Sequence, residues 1–116
     1  MNLYHCMIDL KSDAKALAFA SAAETWLTAL ADLGLIGKWR LLRRKLGLAS
    51  AAQGDFLLEI EVESLEQLES TFHALCHVDD LAQRHYEQFH HMIASAEVGL
   101  YRPFPDPERR ERIALI

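Results

Sequence analysis

The sequence predicts an α+β domain in which four strands form one antiparallel sheet and two helices, the second of them broken, cover one face of that sheet. Three observations predict this class. Residues 3–10 alternate in polarity, apolar residues then recur at three- and four-residue steps through residues 19–33, and the same change of period is repeated after residue 56. The predicted order is therefore strand, helix, strand, strand, helix, strand.

The first strand and first helix follow from the N-terminal third of the chain. In the strand, the even-numbered residues from Tyr4 to Leu10 form the apolar side that faces the helices. Ser12 and Asp13 are residue types that favour the N-cap, so we expect them to begin the helix. Gly34, followed by a leucine, predicts a glycine C-cap at its end.

The remaining elements come from residues 38–105. A second strand is predicted from about Lys38, a loop over ASAAQGD, and a third strand with Phe56, Leu58, Ile60 and Val62 on one face. Ser64 and Gln67 predict a capping box for the second helix, which breaks at residues 78–80 and resumes with Asp80 and Gln83 as its cap. A last strand is expected at about residues 95–102, before Pro103, Pro105 and Pro107.

The second predicted strand does not keep one apolar side. Trp39 and Leu41 occupy odd positions, whereas Leu42, Leu46 and Leu48 occupy even ones. A β-bulge or a strand covered on both faces would produce this change, and the sequence leaves both alternatives open.

Composition and charge restrict the function classes. Hydrophobic residues make up 51% of the 116 residues and charged residues 25%, which is typical of a globular domain. The formal net charge of −5 argues against a general nucleic-acid or acidic-membrane binder, although a cationic run precedes an acidic one within residues 38–63. Because no stretch is apolar enough for a signal-peptide core or a membrane span, we expect a cytoplasmic protein.

Two helices on one face of a four-stranded antiparallel sheet form the ferredoxin-like arrangement. The order of elements, the broken second helix leading into IASAEVGLYRPFP, and the hairpin from RRKLGL to GDFLLEIEVE resemble the dimeric α/β-barrel superfamily, which includes stress-responsive barrel proteins and antibiotic-biosynthesis monooxygenase-like proteins. The resemblance covers residues 2–105. It implies a C2 homodimer whose two sheets pack face to face into a barrel, with the helices outside.

Residues 1–105 are accordingly predicted as the domain and residues 106–116 as a C-terminal tail. The tail ends in Ile113, Ala114, Leu115 and Ile116. These apolar residues favour packing across the dimer over a frayed end.

The sheet face turned away from the helices carries the candidate ligand-binding residues. Alternation places on it His5, Arg40, Glu59, Glu61 and Tyr101, together with Asp9 and Glu97. Arg43 and Arg44 could take the place of Arg40 or join it. One interpretation is a polar ligand site, in which an arginine holds an anion and a histidine or glutamate exchanges a proton. The other is a network of cross-strand ion pairs, each worth roughly 0.2 to 1 kcal/mol, that fixes the dimer register.

Other chemistry-bearing residues give weaker signals. His73 and His77 are four residues apart, with Glu69 one turn earlier, but the HExxH pattern is missing and we expect no metal and no cofactor. Cys6 and Cys76 do not form a CxxC pair, and we expect both to be buried thiols.

Three functions are consistent with these patterns. The first is a homodimer that binds a small ligand in a pocket near the sheet. The second, implied by the resemblance, is a cofactor-independent monooxygenase-like enzyme acting on small molecules. The third is a structural or protein-interaction dimer without a ligand.

Overall fold

The computed structural model describes residues 1–48, 50 and 54–105, and it confirms the predicted α+β order. Its elements are β1 (Asn2–Leu10), α1 (Ala16–Asp32), β2 (Trp39–Arg43), β3 (Phe56–Val62), α2 (Leu65–Leu75), α3 (Asp80–His91) and β4 (Ile93–Tyr101). The four strands form one antiparallel sheet in the order β2-β3-β1-β4. In the part of the chain so described, no helix is long and apolar enough to cross a membrane. The predicted tail, residues 106–116, lies outside the described residues.

The register of the sheet separates its two faces. β1 pairs with β3 from Asn2 opposite Val62 to Ile8 opposite Phe56, and with β4 along its other edge. Since side chains alternate along a strand, the even-numbered residues of β1 and β3 face the helices. Their odd-numbered residues, with the residues opposite them on β2 and β4, form what we call the open face.

The hydrophobic core lies between the helices and the sheet. Phe19 of α1 is fully buried, and its ring packs against Phe56 of β3 at 5.2 Å and against Phe89 of α3 at 5.3 Å, measured between ring centroids. Trp26 and Leu30 continue the same helical stripe toward the C-terminal end of α1. These contacts hold α1 and α3 against the centre of the sheet.

The ends of α1 confirm one prediction and correct another. Gly34 has φ +74°, its N–H bonds to the Ala31 carbonyl, and the Leu35 N–H bonds to the Leu30 carbonyl, which together form the expected glycine C-cap in its Schellman form. The predicted N-cap at Ser12 and Asp13 is wrong. These residues lie in the connection before the helix, whose first turn begins at Lys15 with no side-chain cap.

The two later helices begin at capping side chains. The Ser64 hydroxyl accepts the Gln67 N–H at 3.1 Å, which confirms the first half of the capping box, while the Gln67 side chain accepts the N–H of Glu63. The cap of α3 is Asp79, which accepts the Ala82 N–H at 2.8 Å, and not Asp80 as predicted. The aspartate lies one residue earlier because Asp80 already has helical backbone angles.

The apolar pattern of residues 39–48 follows from the alternation along β2 and from the point where the strand ends. β2 pairs with β3 without a register shift, so Trp39 and Leu41 face the helices and Leu42 lies on the open face. The strand ends at Arg43, and Leu46 lies in a turn with φ +59°. β2 contains no bulge, and Leu42 is the apolar residue that it places on the open face.

Candidate functional site

The predicted site residues all lie on the open face, in rows that run across the sheet. One row consists of Arg40, Glu59, His5 and Gly99, which are consecutive cross-strand partners on β2, β3, β1 and β4. The neighbouring row toward the chain termini contains Glu61, Leu3 and Tyr101. The row on the other side is mainly apolar and contains Leu42, Leu57, Met7 and Glu97.

Arg40 and Glu59 form an ion pair on this face. The Arg40 Nε donates to a Glu59 carboxylate oxygen, and the pair lies on adjacent edge and inner strands. This hydrogen bond, together with the charges of Glu59 and Glu61, raises the pKa of Arg40. The positive charge of Arg40 is thus already satisfied by a neighbouring carboxylate.

His5 contacts Tyr101 rather than the ion pair. Their ring centroids are 5.4 Å apart and the rings meet edge to face. Gly99 lies opposite His5 on β4. The structure therefore brings the five predicted residues onto one face, but as an Arg40–Glu59 pair and a His5–Tyr101 pair.

The remaining arginines are separated from Arg40. Arg43 faces the helix side, with its guanidinium 5.6 Å from the centroid of the Phe56 ring. Arg44 bonds to the Asp55 carboxylate at 3.1 Å, and the Asp55 N–H donates to Asp9 at 2.9 Å. Neither joins the predicted cluster, because alternation places Arg43 on the helix side of β2 and Arg44 follows the end of that strand.

A second candidate site lies on the opposite side of the sheet, where the sequence indicated only core. It is a cavity of about 430 Å³ between the sheet and all three helices. Its floor is formed by strand residues Tyr4, Cys6, Ile8, Leu58, Ile60 and Val62. Its walls include Trp26, Leu27 and Leu30 of α1, Leu68, Thr71, Phe72 and Leu75 of α2, and Tyr86, Phe89 and His90 of α3.

The cavity opens between α2 and β4. Phe72 on α2 is 49% exposed and Val98 on β4 is 60% exposed, although both belong to apolar stripes that the sequence places toward the core. The Phe72 ring meets Tyr4 edge to face, at 6.2 Å between ring centroids. We call the opening flanked by Phe72, His90 and Val98 the mouth of the cavity.

The polar groups of the cavity are few. The Thr71 hydroxyl bonds to the carbonyl oxygens of Leu35 and Gln67, and the His90 Nδ1 bonds to the Tyr86 carbonyl at 2.8 Å. Burial raises the pKa of the Cys6 thiol to about 11. None of the described lining residues is aspartate, glutamate, lysine or arginine.

The Tyr4 hydroxyl is a polar group of this cavity that a bound molecule could contact. Burial, followed by the charge of Cys6, raises the pKa of this phenol. Within residues 1–48, 50 and 54–105, the hydroxyl has no hydrogen-bond partner. It can therefore donate to, or accept from, a molecule in the cavity.

The cysteines and histidines singled out by the sequence have separate environments. Cys6 is buried as expected, whereas Cys76 is exposed, because it lies at the C-cap of α2 beyond the buried stripe. His73 and His77 are ring neighbours at 5.1 Å between centroids. Among the described residues, no group of three or more histidine, cysteine, aspartate or glutamate side chains could hold a metal ion.

Comparisons with other proteins agree with the fold. A family model described as a family of unknown function, DUF6614, matches residues 1–116. No curated protein matches the chain. Among solved structures, the Arabidopsis thaliana protein At3g17210 is similar with a TM-score of 0.70 and 10% identity, over 89% of this chain and 95% of that chain.

Two further solved structures extend this likeness. A NIPSNAP family protein from Agrobacterium tumefaciens str. C58 has a TM-score of 0.66 and 14% identity, over 93% of this chain and 98% of that chain. A dimeric ferredoxin-like protein of unknown function from Jannaschia sp. CCS1 has a TM-score of 0.61 and 13% identity, over 89% of this chain and 100% of that chain. These matches confirm the predicted ferredoxin-like fold and its resemblance to dimeric proteins with this fold.

Proposed function

Because the chain belongs to DUF6614, a family of unknown function, and shares its fold with a dimeric ferredoxin-like protein, we propose that it is a homodimer that binds a small molecule within each subunit. The observation that carries this proposal is the apolar cavity of about 430 Å³ between the sheet and the helices. Ligand pockets in proteins commonly have volumes of about 300 to 1,000 Å³ and mostly apolar linings with a few polar groups.

A void of this size would be unfavourable without a function. Protein interiors are close-packed, and each void leaves its lining without the dispersion contacts that packed atoms supply. Here α1 and α3 pack tightly around Phe19, while α2 leaves Phe72 half-exposed at the mouth. A ligand between α2 and the sheet would restore the missing contacts.

The open face supports the dimer part of the proposal. Leu42, Leu57 and Met7 form an apolar row across three strands, and Leu42 is exposed in the single subunit. A second copy packed on this face by a twofold axis would remove the row from water on both subunits. The face-to-face barrel implied by the sequence resemblance has this geometry.

The predicted ligand-binding residues then belong to the subunit interface. Glu59 already compensates the charge of Arg40 through the bond to Nε, which reduces its attraction for a ligand anion, whereas an interface keeps their ion pair intact. We therefore favour the second of the two interpretations of His5, Arg40, Glu59, Glu61 and Tyr101, in which paired charges and the His5–Tyr101 contact set the dimer register.

A neutral fluorescent probe tests the cavity. N-phenyl-1-naphthylamine, excited directly, should increase its emission saturably on binding to the wild-type protein. Val98→Trp places a large ring at the mouth and should weaken binding at least tenfold, because the strand remains paired while the opening is filled. Leu100→Trp is the matched control, since Leu100 lies on the same face of the same strand but does not line the cavity.

The two variants separate the possible results. Normal binding to Leu100→Trp together with weak binding to Val98→Trp supports the proposal. Equal probe emission from both variants and wild type would mean that the probe binds elsewhere on the surface, and no saturable emission from wild type would remove the cavity as a ligand site.

A further inference from the structure

The chemistry of the cavity lining restricts the class of ligand. Resting on the proposed function, we infer that the ligand is an uncharged, mostly apolar molecule of about a dozen to twenty non-hydrogen atoms, with one oxygen or nitrogen group that hydrogen-bonds to the Tyr4 hydroxyl. Its apolar part lies over Ile8, Leu58 and Ile60 of the sheet and beneath Trp26 and Leu30 of α1.

The size follows from the volume. An apolar cavity of about 150 Å³ holds a benzene molecule, so a cavity nearly three times as large holds two or three fused rings or a chain of about ten or more carbons. The volume of this cavity is about 430 Å³. A single amino acid or sugar would leave much of this space empty and its own polar groups unpaired.

The absence of charge follows from the lining. An ionised carboxylate or ammonium group loses its hydration on entering an apolar cavity and requires an opposite charge in return. The described lining contains no acidic side chain, no lysine and no arginine. The Cys6 thiol remains protonated at neutral pH because burial disfavours the thiolate.

Among the described residues, the lining side-chain groups without a protein hydrogen-bond partner include the Tyr4 and Tyr86 hydroxyls and the Trp26 indole N–H. The Thr71 hydroxyl directs its one proton to the backbone carbonyls of Leu35 and Gln67. His90 uses its Nδ1 on the Tyr86 carbonyl, and its ring stacks on Tyr86 at 3.8 Å between centroids. The Tyr4 hydroxyl, at the floor beside Cys6, has no such partner among the described residues. We take it as the group that a polar atom of the ligand meets, because Tyr4 lies in the cavity floor on β1, the strand paired on both edges.

A matched pair of probes tests the charge. In Trp39→Phe, Trp26 is the remaining indole, and it lines the cavity. Its emission is followed while 1-decanol or decanoate is added at about pH 8, where the decanoate carboxylate is ionised. We expect saturable binding of 1-decanol and at least tenfold weaker binding of decanoate. Displacement of N-phenyl-1-naphthylamine from the wild-type protein measures the same two affinities without the substitution.

The outcomes test separately whether the ligand is uncharged and whether the cavity binds a ligand. Decanoate binding as tightly as 1-decanol would overturn the inference of an uncharged ligand but leave the cavity as a binding site. If neither probe nor N-phenyl-1-naphthylamine binds, the proposed function fails as well.

Tyr4→Phe tests the hydrogen bond. The substitution removes one oxygen and keeps the ring that contacts Phe72. It should weaken 1-decanol binding about three- to tenfold, as expected for one hydrogen bond, and leave the affinity for n-butylbenzene, which has no polar group, within twofold. Equal losses for both molecules, or a loss for neither, would remove Tyr4 as the polar contact.

Discussion

The open face offers the sharpest test of the proposed dimer, through Leu57. This residue lies in the middle of the apolar row, between Leu42 on β2 and Met7 on β1. Leu57→Lys would place an ammonium group at the centre of the proposed interface. Its neighbours along β3, Phe56 and Leu58, face the helices and remain buried, so the subunit itself should stay folded.

The size of the effect follows from the twofold axis. One substitution changes two residues per dimer, because each subunit contributes its own Leu57. Full burial of a leucine side chain stabilises by about 1.5 to 3 kcal/mol, and Leu57 is already partly buried in the subunit. We therefore expect each copy of the substitution to reduce the free energy of dimerisation by about 1 to 2 kcal/mol. Two copies reduce it by about 2 to 4 kcal/mol, which corresponds to roughly 30- to 700-fold weaker dimerisation.

Sedimentation velocity across a dilution series measures this change. Wild type should sediment as a dimer, and Leu57→Lys should dissociate at much higher protein concentrations with an unchanged far-ultraviolet circular dichroism spectrum. Leu17→Lys is the matched control, because Leu17 is 87% exposed on α1 and lies on the helix layer, away from the open face. A folded wild-type monomer at micromolar concentration, or equal dissociation of both variants, would refute the reasoning.

Three further outcomes are expected. A thiol reagent at about pH 8 should label the exposed Cys76 rapidly and the buried Cys6 slowly. A pKa of about 11 leaves roughly one Cys6 thiol in a thousand ionised at that pH. Cys76→Ser should therefore abolish the fast phase of labelling. Since folding raises the Cys6 pKa from 9.0, its contribution to stability should be complete below pH 9 and decline toward pH 11, as measured by urea unfolding. Phe19→Ala should lower the free energy of unfolding by about 3 to 5 kcal/mol, whereas Gly34→Ala, which changes only a left-handed C-cap, should lower it by about 1 to 2 kcal/mol.

The elements that sequence predicted well are those whose signal is local. The C-cap of α1 needs only Gly34 and the leucine after it, and the start of α2 needs only Ser64 and Gln67. The start of α1 was predicted too early because Ser12 and Asp13 are good capping residues. An N-terminal cap also requires the chain to enter the helix at that point, and that direction is set by the end of β1.

The open face could be predicted because alternation is a property of every paired strand. Once β1 and β3 are assigned, His5, Glu59 and Glu61 must share one face. Which arginine joins them depends on where β2 ends, and that is a matter of pairing with β3. Arg40 falls within the paired residues, whereas Arg44 follows them and bonds to Asp55.

The cavity could not be predicted because apolar periodicity indicates which side of a helix faces inward but not how closely it packs. Phe72 and Val98 both follow the correct period, yet both remain about half exposed or more. The Phe19 cluster holds α1 and α3 to the sheet, whereas Phe72 of α2 remains half exposed. A signal was present in Tyr4, whose hydroxyl is placed on a side of β1 that offers it no protein partner.

β1 links the two proposed activities of the molecule. Its even-numbered residues Tyr4, Cys6 and Ile8 form the floor of the cavity, and its odd-numbered residues His5 and Met7 lie on the open face. A one-residue slip of this central strand would exchange the two sets and destroy both sites at once. Pairing on both edges, with β3 and β4, fixes the register. In the proposed dimer the second subunit covers the open face, so the cavity mouth on the other side of the sheet stays accessible.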